Sequence, residues 1–360
     1  MKTRDGEMNI GVIEGFFGRA WSWEDRHDYV SFLNQCHYSF YIYAPKNDAC
    51  LRRKWFEKWP QNIRNEIQKL AGHYRSSGLQ FGVGLSPFEL ISHYNGESQK
   101  KLTNKINELN NVPCDILCIL FDDMRGDTSN LAEIQVEIIH RAAEISTAKQ
   151  IIMCPTYYTY DPILEKVFGK SPIDYIDTIG HLLDANIDIF WTGPEVCSND
   201  YPPDHLIEVA HRLQRKPVLW DNYLVNDGAK KSKFLHLTSF ENRPSELQSF
   251  TRGHAVNPMN QAWLSKIPLF TLLDSYRQGD TYSPEISFDM ACNTLCEEGL
   301  REDVKSDREF FNKVGLDGFS TDRSNTLIRK YSRYHQNPFA TEIIDWLKGR
   351  YAFDPACLTE

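Results

Sequence analysis

Asp122 and Asp123 stand side by side at the end of an apolar run formed by Ile116, Leu117, Cys118, Ile119, Leu120 and Phe121. A short, unbroken apolar run suits a strand buried on both faces of a parallel sheet. Carboxylates at the C-terminal end of such a strand lie where α/β folds place their chemistry. Two of them are costly to bury, so they need a use. An ordinary glycosidase pair comes from separate strands, about 5–10 Å apart. Neighbours on one strand point to opposite faces, so Asp122 and Asp123 share a site only if the strand ends and turns there. Such a pair suits a substrate that carries its own nucleophile, a 2-acetamido oxygen that attacks the anomeric carbon. One Asp then polarises the acetamido N–H and the other is general acid, then general base. Their mutual repulsion raises one pKa, as a general acid at neutral pH requires. Taken alone, either Asp could instead cap the next helix. Asp122, Asp123 and Asp127 could also hold magnesium, although known Asp-rich magnesium motifs sit on helices and this one follows a strand.

These residues need elements to hold them. Eight short apolar segments recur: 9–16, 39–44, 80–86, 115–122, 150–156, 187–192, 217–222 and 253–257. Amphipathic stretches at 23–36, 62–77, 99–109, 129–146, 172–185 and 203–213 separate them. Ser22, with Glu24 and Asp25 behind it, marks the first helix start. The alternation predicts a (β/α)8 TIM barrel over residues 1–280. An open, doubly wound sheet is the alternative, but Gly15-Phe16-Phe17-Gly18 lacks GxGxxG spacing. Beyond 280 the pattern turns helical at 286–299, 304–314, 324–334 and 342–348, with Gly349 as a C-terminal cap. We therefore expect a small helical region over 281–360. The predicted strand ends are rich in polar, aromatic, Gly and Pro residues, which suits a sugar with hydroxyl edges and apolar faces. None carries the histidine set of a metal hydrolase.

Composition sets limits. Net charge is −9, from 40 Lys and Arg against 49 Asp and Glu. With no basic stripe, nucleic acid is disfavoured as a partner. No apolar run reaches the about 20 residues of a membrane span, and the polar start Met1–Met8 lacks the apolar core of a signal peptide. Nine cysteines, without zinc-ligand spacing, fit a reduced, cytoplasmic protein. Secretion of a trimmed form stays open.

Seven stretches, in order, resemble glycoside hydrolase family 84, the O-GlcNAcase and bacterial hyaluronidase-like β-N-acetylglucosaminidases. They are Gly11 to Arg19 with Trp21, Tyr43 to Asp48, Leu120 to Asp123, Cys154 to Thr156 with Tyr158, Trp191 to Pro194, Trp220 to Tyr223 with Asn226 and Asp227, and Asn257-Pro258. Together they span roughly residues 9 to 275. The resemblance implies a barrel and retaining, substrate-assisted hydrolysis of terminal 2-acetamido sugars without metal or cofactor. It implies that Asp122 orients the acetamido nitrogen, that Asp123 is the acid/base, and that Tyr158 holds the acetamido oxygen. Trp220 would be a wall of the N-acetyl pocket. Gly15, Lys46, Asn222, Asp227 and Asn257 would hold the hydroxyls, Asp227 at O4 and O6. The chain departs from the family at Tyr157, at Met124 to Asp127 and at Phe88-Glu89, all expected around the pocket and so bearing on the aglycone. The expected partner is a GlcNAc-containing glycoside or glycoprotein. Galacto specificity on the same scaffold, a decayed sugar-binding protein and a magnesium-dependent lyase or transferase are the competing readings. Self-association would use the helical tail.

Overall fold

Eight parallel strands close into a barrel in sequence order, each hydrogen-bonded to the next and β8 to β1. They are β1 Ile10–Glu14, β2 Phe40–Tyr43, β3 Gln80–Leu85, β4 Ile116–Leu120, β5 Gln150–Cys154, β6 Asp188–Trp191, β7 Val218–Asp221 and β8 Gly253–Val256. This computed structural model describes residues 8–318 and 320–359, so the polar start at Met1–Glu7 lies outside the described residues. Each strand falls within a segment expected from the sequence, because a strand covered on both faces must be apolar throughout. The run Ile116–Leu120 is buried at every position.

The surrounding helices are α1 Trp23–Gln35, α2 Gln61–Ser76, α3 Gly96–Leu109, α4 Leu131–Ile145, α5 Ile163–Phe168, α6 Tyr175–Leu182, α7 Pro203–Leu213, α8 Leu247–Phe250 and α9 Ala262–Gln278. Ser22 starts α1 with a reciprocal capping box: its hydroxyl accepts the Asp25 N–H at 3.0 Å, and the Asp25 carboxylate accepts the Ser22 N–H at 3.0 Å. This satisfies two N–H groups that an uncapped helix would leave open. Sequence periodicity missed α9. Eleven of its 17 residues are buried, Pro268 among them, so it carries no polar face to mark a helical period.

Past the barrel come α10 Pro284–Leu295, α11 Glu298–Glu309, α12 Thr321–Tyr331 and α13 Pro338–Leu347. The helix expected over 286–299 is two helices, broken where Cys296 is extended. Glu297 and Glu298 then open α11, where acidic groups favour the positive helix end. Gly349 takes φ +70°, the left-handed conformation that ends many helices. The last helix docks on the barrel through the Glu342 carboxylate, which accepts the Trp263 and Leu264 N–H groups at 3.1 and 2.8 Å. It thereby caps α9. Among the described residues, no helix is long and apolar enough to cross a membrane.

Candidate active site

A cleft opens among the C-terminal strand ends. Its walls include Gly15, Asp122, Asp123, Tyr158, Trp220, Asn222, Asp227 and Asn257. Of the nine residues singled out in the sequence, only Lys46 is absent from this wall. It lies directly behind, buried, with its ammonium paired to the Asp122 carboxylate.

The Asp pair meets because the backbone turns. Asp123 has φ +58°, a left-handed conformation uncommon outside glycine but accessible to Asp and Asn. The strand alternation is broken at that residue, so both carboxylates reach one cleft. Asp122 is 6 % exposed, and its Oδ1 accepts no hydrogen bond from a described residue. A buried acceptor without a donor is costly, and its place in the cleft suits a substrate N–H. Burial raises the Asp123 carboxyl above the ordinary carboxylate range, and the charge of Asp122 adds to the rise. Lys46 and then Arg52 oppose it.

The loop after β2 positions both cations. Asp48 ties that loop down by accepting from the Tyr43 hydroxyl (3.0 Å), the Trp59 indole (2.9 Å) and the Cys50 N–H (2.9 Å). Arg52 donates to Ser86 at 2.9 Å and to the Asp123 carbonyl at 3.3 Å. Sequence reasoning missed Arg52. Its only signal was its place six residues after Lys46 on a loop already suspected.

On the far side, Trp220 projects into the cleft while Asp221 faces away, as strand alternation requires. Asp221 is a brace: Arg243 grips it with two hydrogen bonds at 2.7 and 3.0 Å, and His254 meets it at 3.0 Å. Arg243 and His254 hold its carboxyl below the usual range despite burial. The Trp220 indole donates to Asn222 Oδ1 at 2.9 Å, and Asn257 donates to the same oxygen at 3.0 Å. Asn257 Oδ1 in turn accepts the Gly15 N–H at 3.1 Å. Gly15 has to be small here, since a Cβ would stand 2.5 Å from the Trp220 ring. Much of the hydrogen-bonding capacity of Asn222 and Asn257 therefore goes to holding each other, Trp220 and Gly15.

Asp227 crosses the cleft mouth to accept the Phe17 N–H at 2.7 Å. Its loop is fixed by Asn226, which donates to Gln261 at 2.8 Å and accepts from the Asn260 N–H at 3.1 Å. Burial pushes the Asp227 carboxyl up to about 6, against the Phe17 hydrogen bond and with help from the Asp123 charge. Tyr158 is buried beside the pair, and desolvation raises its phenol well above the usual value.

Some expectations do not reach the cleft. Trp191 is fully buried, donates to His205 at 2.9 Å and leaves the wall to Thr192. Asp127 pairs with the exposed Arg125 rather than with the Asp pair. Among the described residues no group of three or more His, Cys, Asp or Glu could hold a metal ion. The lining residues Val196, Cys197, Lys231, Cys357 and Thr359 were not expected from sequence. They come from loops and the chain's last segment, which have no periodicity to read.

The comparisons agree with this geometry. A family model described as beta-N-acetylglucosaminidase matches residues 10–312. The protein O-GlcNAcases of Rattus norvegicus and Mus musculus are each 28 % identical over 326 residues, covering 85 % of this chain and 35 % of the relative. The chain thus spans about a third of the length of these curated relatives. An Asp-to-Asn mutant of the Thermobaculum terrenum O-GlcNAc hydrolase superposes with a TM-score of 0.77 at 31 % identity, covering 95 % of this chain and 81 % of that one. A match over most of the barrel, with the Asp pair on its β4 end, means that the chain belongs to the β-N-acetylglucosaminidase family of glycoside hydrolases.

Proposed function

We propose that the protein is a retaining, exo-acting β-N-acetylhexosaminidase that removes terminal 2-acetamido sugars by substrate-assisted catalysis, with O-GlcNAc-type glycosides as its substrate class. The observation that carries this reading is the unequal Asp pair in one cleft. Asp122 is paired to Lys46 and keeps one buried oxygen for an N–H donor. Asp123 is poised to hold a proton.

In this mechanism Asp122 accepts the acetamido N–H, which makes the acetamido oxygen a better nucleophile. Tyr158 donates to that oxygen and aims it at the anomeric carbon. Asp123 protonates the leaving oxygen as the glycosidic bond breaks and an oxazoline forms. The same Asp123, now a carboxylate, takes a proton from water as it opens the oxazoline. Two inversions at one carbon give net retention. Lys46, paired with Asp122, fixes the position of that carboxyl, which faces the charge developing on the ring nitrogen. Trp220 packs on the acetamido methyl, Gly15 and Asn257 border the ring, and Asn222 and Asp227 meet the hydroxyl edge. The names of the relatives make a GlcNAc-bearing glycoprotein the favoured substrate over a galacto sugar.

The test is a set of aryl 2-acetamido-β-glucosides with leaving groups of graded acidity. Asp123→Asn should cost about 10²–10⁴ in kcat/KM for a poor leaving group, and far less for dinitrophenol, which needs no proton. Asp122→Asn should impair both. Equal turnover of 2-hydroxy and 2-acetamido glucosides would exclude the substrate-assisted route.

A further inference from the structure

Arg52 is 5 % exposed and sits where four consecutive strand ends meet. One guanidinium nitrogen donates to the Ser86 hydroxyl past β3 at 2.9 Å, and the other donates to the Asp123 carbonyl past β4 at 3.3 Å. The same group lies 5.3 Å from the ring centroids of Phe17, past β1, and of Phe88. Its own loop is stitched to the loop after β3. The Ser86 N–H donates to the Leu51 carbonyl at 2.8 Å, and the Trp55 indole donates to the Phe88 carbonyl at 3.2 Å. A planar fork held at one tip and packed on two rings has little freedom left, so it offers Asp123 a fixed donor.

Asp123 needs such a support. A non-glycine residue stays in the left-handed conformation only when its surroundings hold it there, and Asp123 has φ +58°. Among the described residues, Arg52 is the donor that meets its carbonyl. The carbonyl carbon and Cβ share one Cα, so holding the carbonyl also fixes where the side chain leaves the backbone. The charge has a second effect. Burial and the Asp122 charge push Asp123 toward its protonated form, whereas Lys46 and then Arg52 favour the carboxylate. Because Arg52 bonds to the backbone, it takes neither carboxyl oxygen away from the leaving oxygen or the water.

We propose that Arg52 is a positioning residue for the acid/base: through the Asp123 carbonyl it aims the Asp123 carboxyl at the glycosidic oxygen, and its charge favours the carboxylate left after proton transfer. This rests on Asp123 being the acid/base.

The experiment uses Arg52→Met, which keeps a side chain to pack on Phe17 and Phe88 but loses both donors and the charge, and Arg52→Lys, which keeps the charge and loses the fork. Both are compared with the parent and with Asp123→Asn across pH, on p-methoxyphenyl and dinitrophenyl 2-acetamido-β-glucosides. A thiazoline that mimics the oxazoline is titrated calorimetrically to check the sugar pocket. Arg52→Met should lose about 10- to 100-fold in kcat/KM on the p-methoxyphenyl glycoside and under about threefold on the dinitrophenyl one, with the thiazoline Kd within about threefold. The basic limb of its kcat/KM profile should move to higher pH, because a cation favouring the carboxylate is gone. Arg52→Lys should leave that limb near the parent's. Equal losses on both glycosides, no loss on either, or an unmoved basic limb in Arg52→Met would overturn the assignment. Should Arg52→Met not fold, Ser86→Ala, which frees only the other tip of the fork, decides: a loss confined to the poor leaving group supports the assignment, and an equal or absent loss overturns it. If Asp123→Asn itself shows no dependence on the leaving group, the acid/base reading falls first, and the role of Arg52 with it.

Discussion

Asp227 offers a test in which stability and activity move in opposite directions. Its carboxyl is pushed from the ordinary 3.8 to about 6 by burial. That difference corresponds to about 3 kcal/mol. Because the folded-state pKa is the higher one, the native state holds the proton more tightly than the unfolded chain. The stabilisation is fully present below about pH 4 and is lost as pH rises through about 6. Above that, the fold pays for a buried charge. Asp227→Asn removes the titration and keeps an oxygen for the Phe17 N–H, which the carboxylate accepts at 2.7 Å. The variant should match the parent near pH 4 and exceed it by up to about 3 kcal/mol at pH 7.5. Urea unfolding of both proteins between pH 4 and 8 measures the difference, in which the titrations of other buried acids largely cancel. Activity should fall as stability climbs. Losing a charge-assisted bond to the sugar's hydroxyl edge would lower kcat/KM by about 10- to 100-fold. A stability difference that stays flat with pH would refute the reasoning, as would a variant less stable than the parent at pH 8.

The remaining expectations address the other supports of the cleft. Gly15→Ala places a methyl 2.5 Å from the Trp220 ring; it should cost about 1–3 kcal/mol in urea unfolding and weaken thiazoline binding, because Trp220 must shift. Lys46→Met leaves the Asp122 carboxylate buried without its cation. A stability loss of about 3–5 kcal/mol and at least about 100-fold in kcat/KM are expected from thermal unfolding and aryl-glycoside assays. Arg243→Met strands Asp221 in the same way. Removing that cation also relieves one of the influences holding the His254 pKa down. In the parent the lowered His254 pKa, set mainly by burial, costs stability as pH falls below the ordinary histidine range; a smaller lowering in the variant costs less there, so the defect should be smaller at pH 5 than at pH 8.

The barrel was legible because its strands are apolar throughout and its helices mostly two-faced. Legibility failed where those patterns fail: α9 is buried on nearly every side, and the break at Cys296 depends on backbone conformation rather than hydropathy. The site residues were legible as strand-end motifs, which mark position along the chain but not direction of the side chain. Sequence could state that Asp122 and Asp123 need a turn, but not that Asp123 supplies it with φ +58°. Nor could it show that Asn222 and Asn257 bond to each other, or that Arg52 reaches the Asp123 carbonyl. Those depend on pairings between residues 35 and 71 positions apart. Thr359 was invisible for a further reason: a short exposed segment carries no pattern that says where it docks.

The left-handed turn at Asp123 restricts which amino acids can be explored at the catalytic acid. Glutamate would supply the same functional group and can take this backbone, as Glu89 does at φ +62°, but its added methylene would displace the carboxyl from its place in the cleft. Valine, isoleucine and threonine are strongly disfavoured by their branching. In a saturation library at position 123, folded clones should therefore be depleted in β-branched residues, and active clones should concentrate in the parent. The acid is thus restricted by a dihedral angle as well as by the reaction it serves.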